Sequence, residues 1–157
     1  SVGALFPEAV RKNAAGAAFI DRQILGRLVF ADRPQKKALE DILHPLVWAE
    51  SDRFIADMRK GGHTIAALDI PLLFETHGEK RVDVTLCISA PEAVQRERVL
   101  ARHGMTSEKF DRIVQGQLPD AEKRKRADYV IESDKGLEPM QKELTRIVEH
   151  LRTKEGH

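Results

Sequence analysis

The chain has 157 residues, of which 41% are hydrophobic and 32% charged. That length favours one domain with a sizeable core, and that composition excludes a disordered chain. Lys+Arg (26) and Asp+Glu (25) nearly cancel, so no overall basic field marks a nucleic-acid or membrane-surface binder. No run approaches the roughly 18 apolar residues of a membrane span, and no charged-then-apolar leader is expected. The single Cys87 cannot form an internal disulfide, which suits a reducing compartment such as the cytoplasm.

Residues 1 to 62 read as helical. Within Asp21 to Phe30, Ile24, Leu25 and Leu28 share one face at helical spacing. Asp32 can cap the next helix, with Pro34 in its first turn. That helix carries Leu39, Ile42, Leu43, Leu46 and Val47 at three- and four-residue spacing, and His44-Pro45 in its middle is expected to kink or split it. Gly61-Gly62 stops it.

The period then changes. Thr64 to Ile70, Val82 to Ser89 and Asp128 to Ile131 are apolar runs of strand length. Runs without alternation suit strands covered on both faces, as in parallel sheets. Helices are expected from Ser89 to about Arg102, from Thr106 to about Gln115, and from Leu137 to Leu151. Alternating strands and helices point to an α/β fold with a parallel sheet. Three strands are few for such a sheet, so the pattern reads as an α/β domain without its opening unit.

Asp69 ends the first apolar run, and Pro71 turns the chain away. Ligands of open parallel sheets sit beyond the carboxyl ends of the strands, and an acid there can serve the magnesium shell of a phosphoryl-transfer site. A turn-forming Asp is the plainer alternative. Arg98 and Arg102 are four apart and can converge on one anion. The plainer reading is a solvated face with Glu97. Lys123-Arg124-Lys125-Arg126 is a basic run flanked by Asp120, Glu122 and Asp128, with no aromatic residues interleaved, so a solvated helix fits better than a nucleic-acid contact. His44, His63 and Cys87 do not have the spacing of a zinc site. None of the ten glycines falls in Gly-x-x-x-x-Gly-Lys-Ser/Thr or Gly-x-Gly-x-x-Gly.

Taken in order, five segments resemble the dephospho-coenzyme A kinase family. They are Asp21-Arg22 with Leu25-Gly26 and Val29-Phe30; Leu43-His44-Pro45-Leu46-Val47; Pro71-Leu72-Leu73-Phe74-Glu75 behind Asp69; Gln95, Arg98 and Arg102; and Gln117, Lys123, Ala127-Asp128 and Val130-Ile131. The resemblance implies a P-loop kinase fold, a three-layer α/β/α arrangement with a parallel sheet. It implies a helical acceptor-binding region over 15–62 and lid-type helices over 91–127. It also implies ATP with Mg²⁺ as donor and the ribose 3′-hydroxyl of dephospho-CoA as acceptor.

Residue by residue, the resemblance makes Asp69, Arg98 and Arg102 catalytic, with Asp69 near the metal through its shell. Asp21, Arg22, His44, Pro71, Leu72 and Glu75 would bind the acceptor. Arg102, Lys123, Ser133, Lys135 and Gly136 would meet the nucleotide, although Glu132 to Gly136 departs from the family's usual base-contact pattern. The family opens with a strand, a phosphate-cradling loop, a helix and a second strand bearing an acid. No counterpart of these is found in the sequence, in line with the strand deficit, and the 157 residues alone are expected to be inactive. Another small nucleotide kinase, or a non-catalytic interaction module of the same fold, are the alternative readings.

Overall fold

A computed structural model describes residues 1–30 and 32–154. They form two compact units, Ser1–Leu68 and Asp69–His157.

The first unit opens with a short helix α1 (Val2–Leu5), a 3₁₀ turn, and a hairpin of β1 (Val10–Lys12) and β2 (Ala18–Ile20). The strands pair antiparallel, Val10 with Ile20 and Lys12 with Ala18. This corrects the all-helical expectation for residues 1–62. The physical cause is the turn: the Asn13 side-chain oxygen accepts from the N–H groups of Ala15 (3.0 Å) and Ala17 (2.9 Å), and Gly16 takes φ +78°, a conformation glycine adopts without Cβ strain. Phe6 and Ala9, ahead of the hairpin in sequence, are buried.

Helix α2 (Arg22–Phe30) follows. Helix α3 (Arg33–Lys60) runs for 28 residues. Its start matches the sequence pattern: the Asp32 carboxylate accepts from Gln35 N–H at 3.1 Å, and Pro34 sits in the first turn, where its missing donor costs nothing. Pro45 lies inside, yet the helix is not split. Proline removes a single backbone bond, and the turns on either side carry the helix through. Leu46 and Val47 stay mostly exposed.

In the second unit, β3 (Leu86–Ser89) and β4 (Tyr129–Glu132) form a parallel pair with Leu86 opposite Tyr129 and Ser89 opposite Glu132. Three helices lie between them in sequence, α4 (Glu92–Leu100), α5 (Ser107–Gln115) and α6 (Asp120–Arg126); α7 (Leu137–Lys154) follows β4. A parallel pair requires such a crossover. The register is pinned at its entry. Thr85 donates from its N–H (2.8 Å) and its Oγ1 (2.7 Å) to the Asp128 carboxylate, and Thr85 Oγ1 accepts from Asp128 N–H at 3.0 Å. At the far end Ser133 N–H donates to the Ser89 carbonyl at 2.8 Å. Cys87, Phe74, Phe110, Ile131 and Ile147 make the core.

Two expectations are corrected here. Thr64 to Ile70 is not a strand: a strand exists only as a rung of a ladder, and no neighbour pairs with this run among the described residues. The 82–89 run forms a strand only from Leu86 onward, and it is not covered on both faces, since Ile88 is 61% exposed. No helix among the described residues is long and apolar enough to cross a membrane.

Candidate functional site

The second unit gathers most of the residues singled out from sequence. Asp69 is exposed. Behind it, residues 71–77 form a compact turn. Thr76 Oγ1 donates to the Leu72 carbonyl at 2.9 Å, and Gly78 N–H donates to the Leu73 carbonyl at 2.8 Å. Leu72 takes φ +61° and His77 φ +55°. A leucine in the left-handed region costs roughly 1–2 kcal/mol, and such strain concentrates at functional turns. Leu72 is nonetheless partly exposed, while Phe74 is buried.

Glu75 is the charged centre of this turn. Its Oε1 accepts from Leu118 N–H at 2.7 Å and lies 2.9 Å from Lys123 Nζ. Its Oε2 is buried without a partner. Burial pushes the Glu75 carboxyl up, but the Lys123 ammonium and the Leu118 N–H outweigh it and hold the group below its ordinary value. Lys123, assigned to the nucleotide by resemblance, is therefore bonded to a residue assigned to the acceptor.

The arginines of α4 separate in role. Arg98 donates Nη1 to Ser133 Oγ (3.0 Å) and Nη2 to the Ser133 carbonyl (2.7 Å). This joins α4 to the loop after β4, at the carboxyl end of both strands. Arg102 is exposed. Arg96, not singled out from sequence, pairs with Asp111 at 2.8 Å and lies over the Phe110 ring at 5.0 Å. It ties α4 to α5. Lys135 and Gly136 are exposed in the loop beyond Ser133, with Gly136 at φ +93°.

A hollow of about 550 Å³ is lined by Ser89, Pro91, Asp120, Arg124 and Glu132, among others, and by none of Asp69, Arg98 and Arg102. Ser89 Oγ donates to the Asp120 carboxylate (2.8 and 3.0 Å), and Arg124 pairs with Glu132 at 2.7 Å. Neither pair carries a signal in the sequence, because each joins two different elements of the fold.

Each member of the basic run on α6 has an acidic partner: Lys123 with Glu75, Arg124 with Glu132, Lys125 with Glu122, Arg126 with Glu79. The run is thus neutralised by its own fold, which favours the solvated-helix reading over a phosphate-backbone contact.

Asp21, Arg22 and His44 belong to the first unit. The Asp21 carboxylate caps α2, accepting from Gln23 N–H (2.9 Å) and Ile24 N–H (3.1 Å). Arg22 and His44 are exposed. Among the described residues no three His, Cys, Asp or Glu side chains cluster as a metal cage.

Comparison with known proteins gives the family and the fold. A family model described as dephospho-CoA kinase matches residues 2–139. A dephospho-CoA kinase of Mesorhizobium japonicum is 50% identical over 137 residues, covering 87% of this chain and 70% of that protein. The solved structure of TT1252 from Thermus thermophilus superposes with a TM-score of 0.70 at 36% identity, over 96% of this chain and 74% of the other. That of a dephospho-CoA kinase from Campylobacter jejuni superposes with a TM-score of 0.66 at 24% identity, over 98% and 77%; it speaks to the fold, that of a P-loop kinase. The chain spans 65% to 71% of the length of the curated relatives it matches.

Proposed function

We propose, for a chain that belongs to the dephospho-CoA kinase family, that it serves ATP-dependent phosphorylation of the ribose 3′-hydroxyl of dephospho-CoA. The observation that carries the reading is the Arg98–Ser133 link. It brings a helix arginine to the loop beyond β4, at the strand ends where open parallel sheets take ligands. The Arg98 guanidinium carries its positive charge to that loop, where a phosphate group would be attracted, and the Ser133 to Gly136 loop is the segment assigned to the nucleotide.

Pro71, Leu72 and Glu75 supply the acceptor side in the second unit. Glu75 fixes the turn, and exposed Leu72 offers an apolar edge to the acceptor. Magnesium would come with the ATP phosphates and keep several waters; the exposed Asp69 would meet it indirectly, through that water shell. Phosphoryl transfer rests on positioning and electrostatic stabilisation. Since no phosphate-cradling Gly-x-x-x-x-Gly-Lys-Ser/Thr occurs in these 157 residues, they alone are expected to bind acceptor without turning it over.

A thermal-shift panel tests the acceptor class. Dephospho-CoA and coenzyme A should each raise the melting temperature, because a ligand that binds only the folded state stabilises it by mass action. AMP, thymidine and cytidine at equal concentration should not. Stabilisation by one of the latter and none by dephospho-CoA would replace this reading with another nucleotide kinase.

A further inference from the structure

Three groups from one stretch of chain grip the 71–79 segment. Leu118 N–H and Lys123 Nζ both reach Glu75 Oε1, at 2.7 and 2.9 Å. Arg126 lies over the Phe74 ring, 4.9 Å from its centroid, and pairs with Glu79. The segment is a turn over 71–77 with two residues at positive φ, running into a short 3₁₀ helix that begins at Gly78. A turn of that kind has little intrinsic preference for its shape and keeps it only when its surroundings over-determine it.

The Glu75–Lys123 pair is also no surface decoration. Its side chains are 16% and 22% exposed, and the second Glu75 oxygen is buried without a partner. Removing the ammonium would leave a mostly buried carboxylate held by backbone N–H groups alone, a larger loss than that of a surface pair. Lys123 also has its hydrogen-bonding direction committed inward, towards Glu75.

We infer that Lys123 is a positioning residue for the acceptor-lining turn, acting through Glu75, and that Arg126 shares this work through Phe74 and Glu79. The inference rests on the reading above only in taking 71–75 as acceptor-lining. It departs from the assignment of Lys123 to the nucleotide. Helix α6 then acts as the brace of the turn, and its basic residues set the shape of the acceptor side.

The test uses the whole chain as Lys123→Met, which keeps the stem and removes the charge, and as Lys123→Arg, which restores it. Amide hydrogen exchange is read over 71–79, with α7 as internal control. Calorimetry then reads dephospho-CoA and Mg·ATP separately. Lys123→Met should speed exchange at Thr76 and Gly78 about tenfold or more, because local opening sets that rate, while α7 stays protected. It should weaken dephospho-CoA about tenfold and leave Mg·ATP within twofold, on the scale typical of lost positioning contacts. Lys123→Arg should recover most of both. Should Lys123→Met unfold the unit, Glu75→Gln is read by exchange over 71–79 alone, where the same acceleration is expected, since it can keep the Leu118 bond and loses the ion pair. Unchanged exchange over 71–79, or weakening of Mg·ATP in place of dephospho-CoA, would overturn the inference. Faster exchange in a chain whose parent form binds no dephospho-CoA would uphold the brace and count against the acceptor reading.

Discussion

Arg98 and Ser133 form a two-point contact: one guanidinium nitrogen bonds the serine hydroxyl at 3.0 Å and the other its carbonyl at 2.7 Å. The same hydroxyl donates to the Ser89 carbonyl at 3.0 Å, so one serine ties α4, the end of β3 and the loop after β4 together. The contact is solvent-facing, so its net worth is that of an ordinary hydrogen bond, about 0.5–1.5 kcal/mol. A double-mutant cycle of Arg98→Ala and Ser133→Ala by urea unfolding should give a coupling of about 0.5–1 kcal/mol. The carbonyl bond survives in Ser133→Ala, so the cycle reads the hydroxyl contact alone, and strict additivity would mean that this contact carries no energy in solution.

Leu72 holds φ +61°. β-branched residues tolerate that region worst, and Asn tolerates it best among the residues with a Cβ. Leu72→Ile should therefore destabilise by about 1–2 kcal/mol despite keeping the side-chain volume. Leu72→Asn should cost less, although it removes apolar surface. At an ordinary, partly exposed site the order would be reversed. Denaturant midpoints of the two variants decide it, and an Ile variant at least as stable as the Asn variant would show that the strain is absent.

The ion pair at Glu75 has a pH signature. Its folded-state carboxyl titrates below the ordinary value of 4.5 because Lys123 and the Leu118 N–H overcome the effect of burial. The stabilisation is therefore complete above 4.5 and is lost as pH falls through the lower folded value. The stability difference between the parent chain and Glu75→Gln should stay constant near neutrality and narrow only in acid. A difference that instead grew as pH fell would reverse the sign and contradict the pairing.

The legible parts of this molecule are those encoded locally. Asp32 with Pro34, and Gly61-Gly62, mark the ends of α3 within a residue or two. Thr106 caps α5, with Lys109 N–H at 3.3 Å from its Oγ1. The apolar runs before Ser89 and after Asp128 do form strands. The hairpin is missed, because its strands are three residues each and show no alternation long enough to read; Asn13 and Gly16, which shape its turn, are not read as a signal. The run from Thr64 to Ile70 has the composition of a strand, yet composition cannot supply a hydrogen-bonding neighbour.

The site divides in the same way. Glu75, Lys123 and Arg98 could be singled out from ordered motifs, and Ser133 only as part of the 132–136 stretch that the resemblance assigns to the nucleotide. That Glu75 would bond Lys123, and Arg98 would bond Ser133, could not, because such pairs are made by the crossover between β3 and β4 and not by spacing. The roles of Arg96, Arg126 and Asp120 were likewise hidden, since each takes its partner from another segment.

Calorimetric titration of the 157-residue chain, once with dephospho-CoA and once with Mg·ATP, tests the central claim most directly. The account expects saturable binding of dephospho-CoA and Mg·ATP binding at least about tenfold weaker, since a phosphate cradle normally supplies much of the nucleotide's grip. Mg·ATP binding as tight as that of dephospho-CoA, or no binding of either, would contradict it.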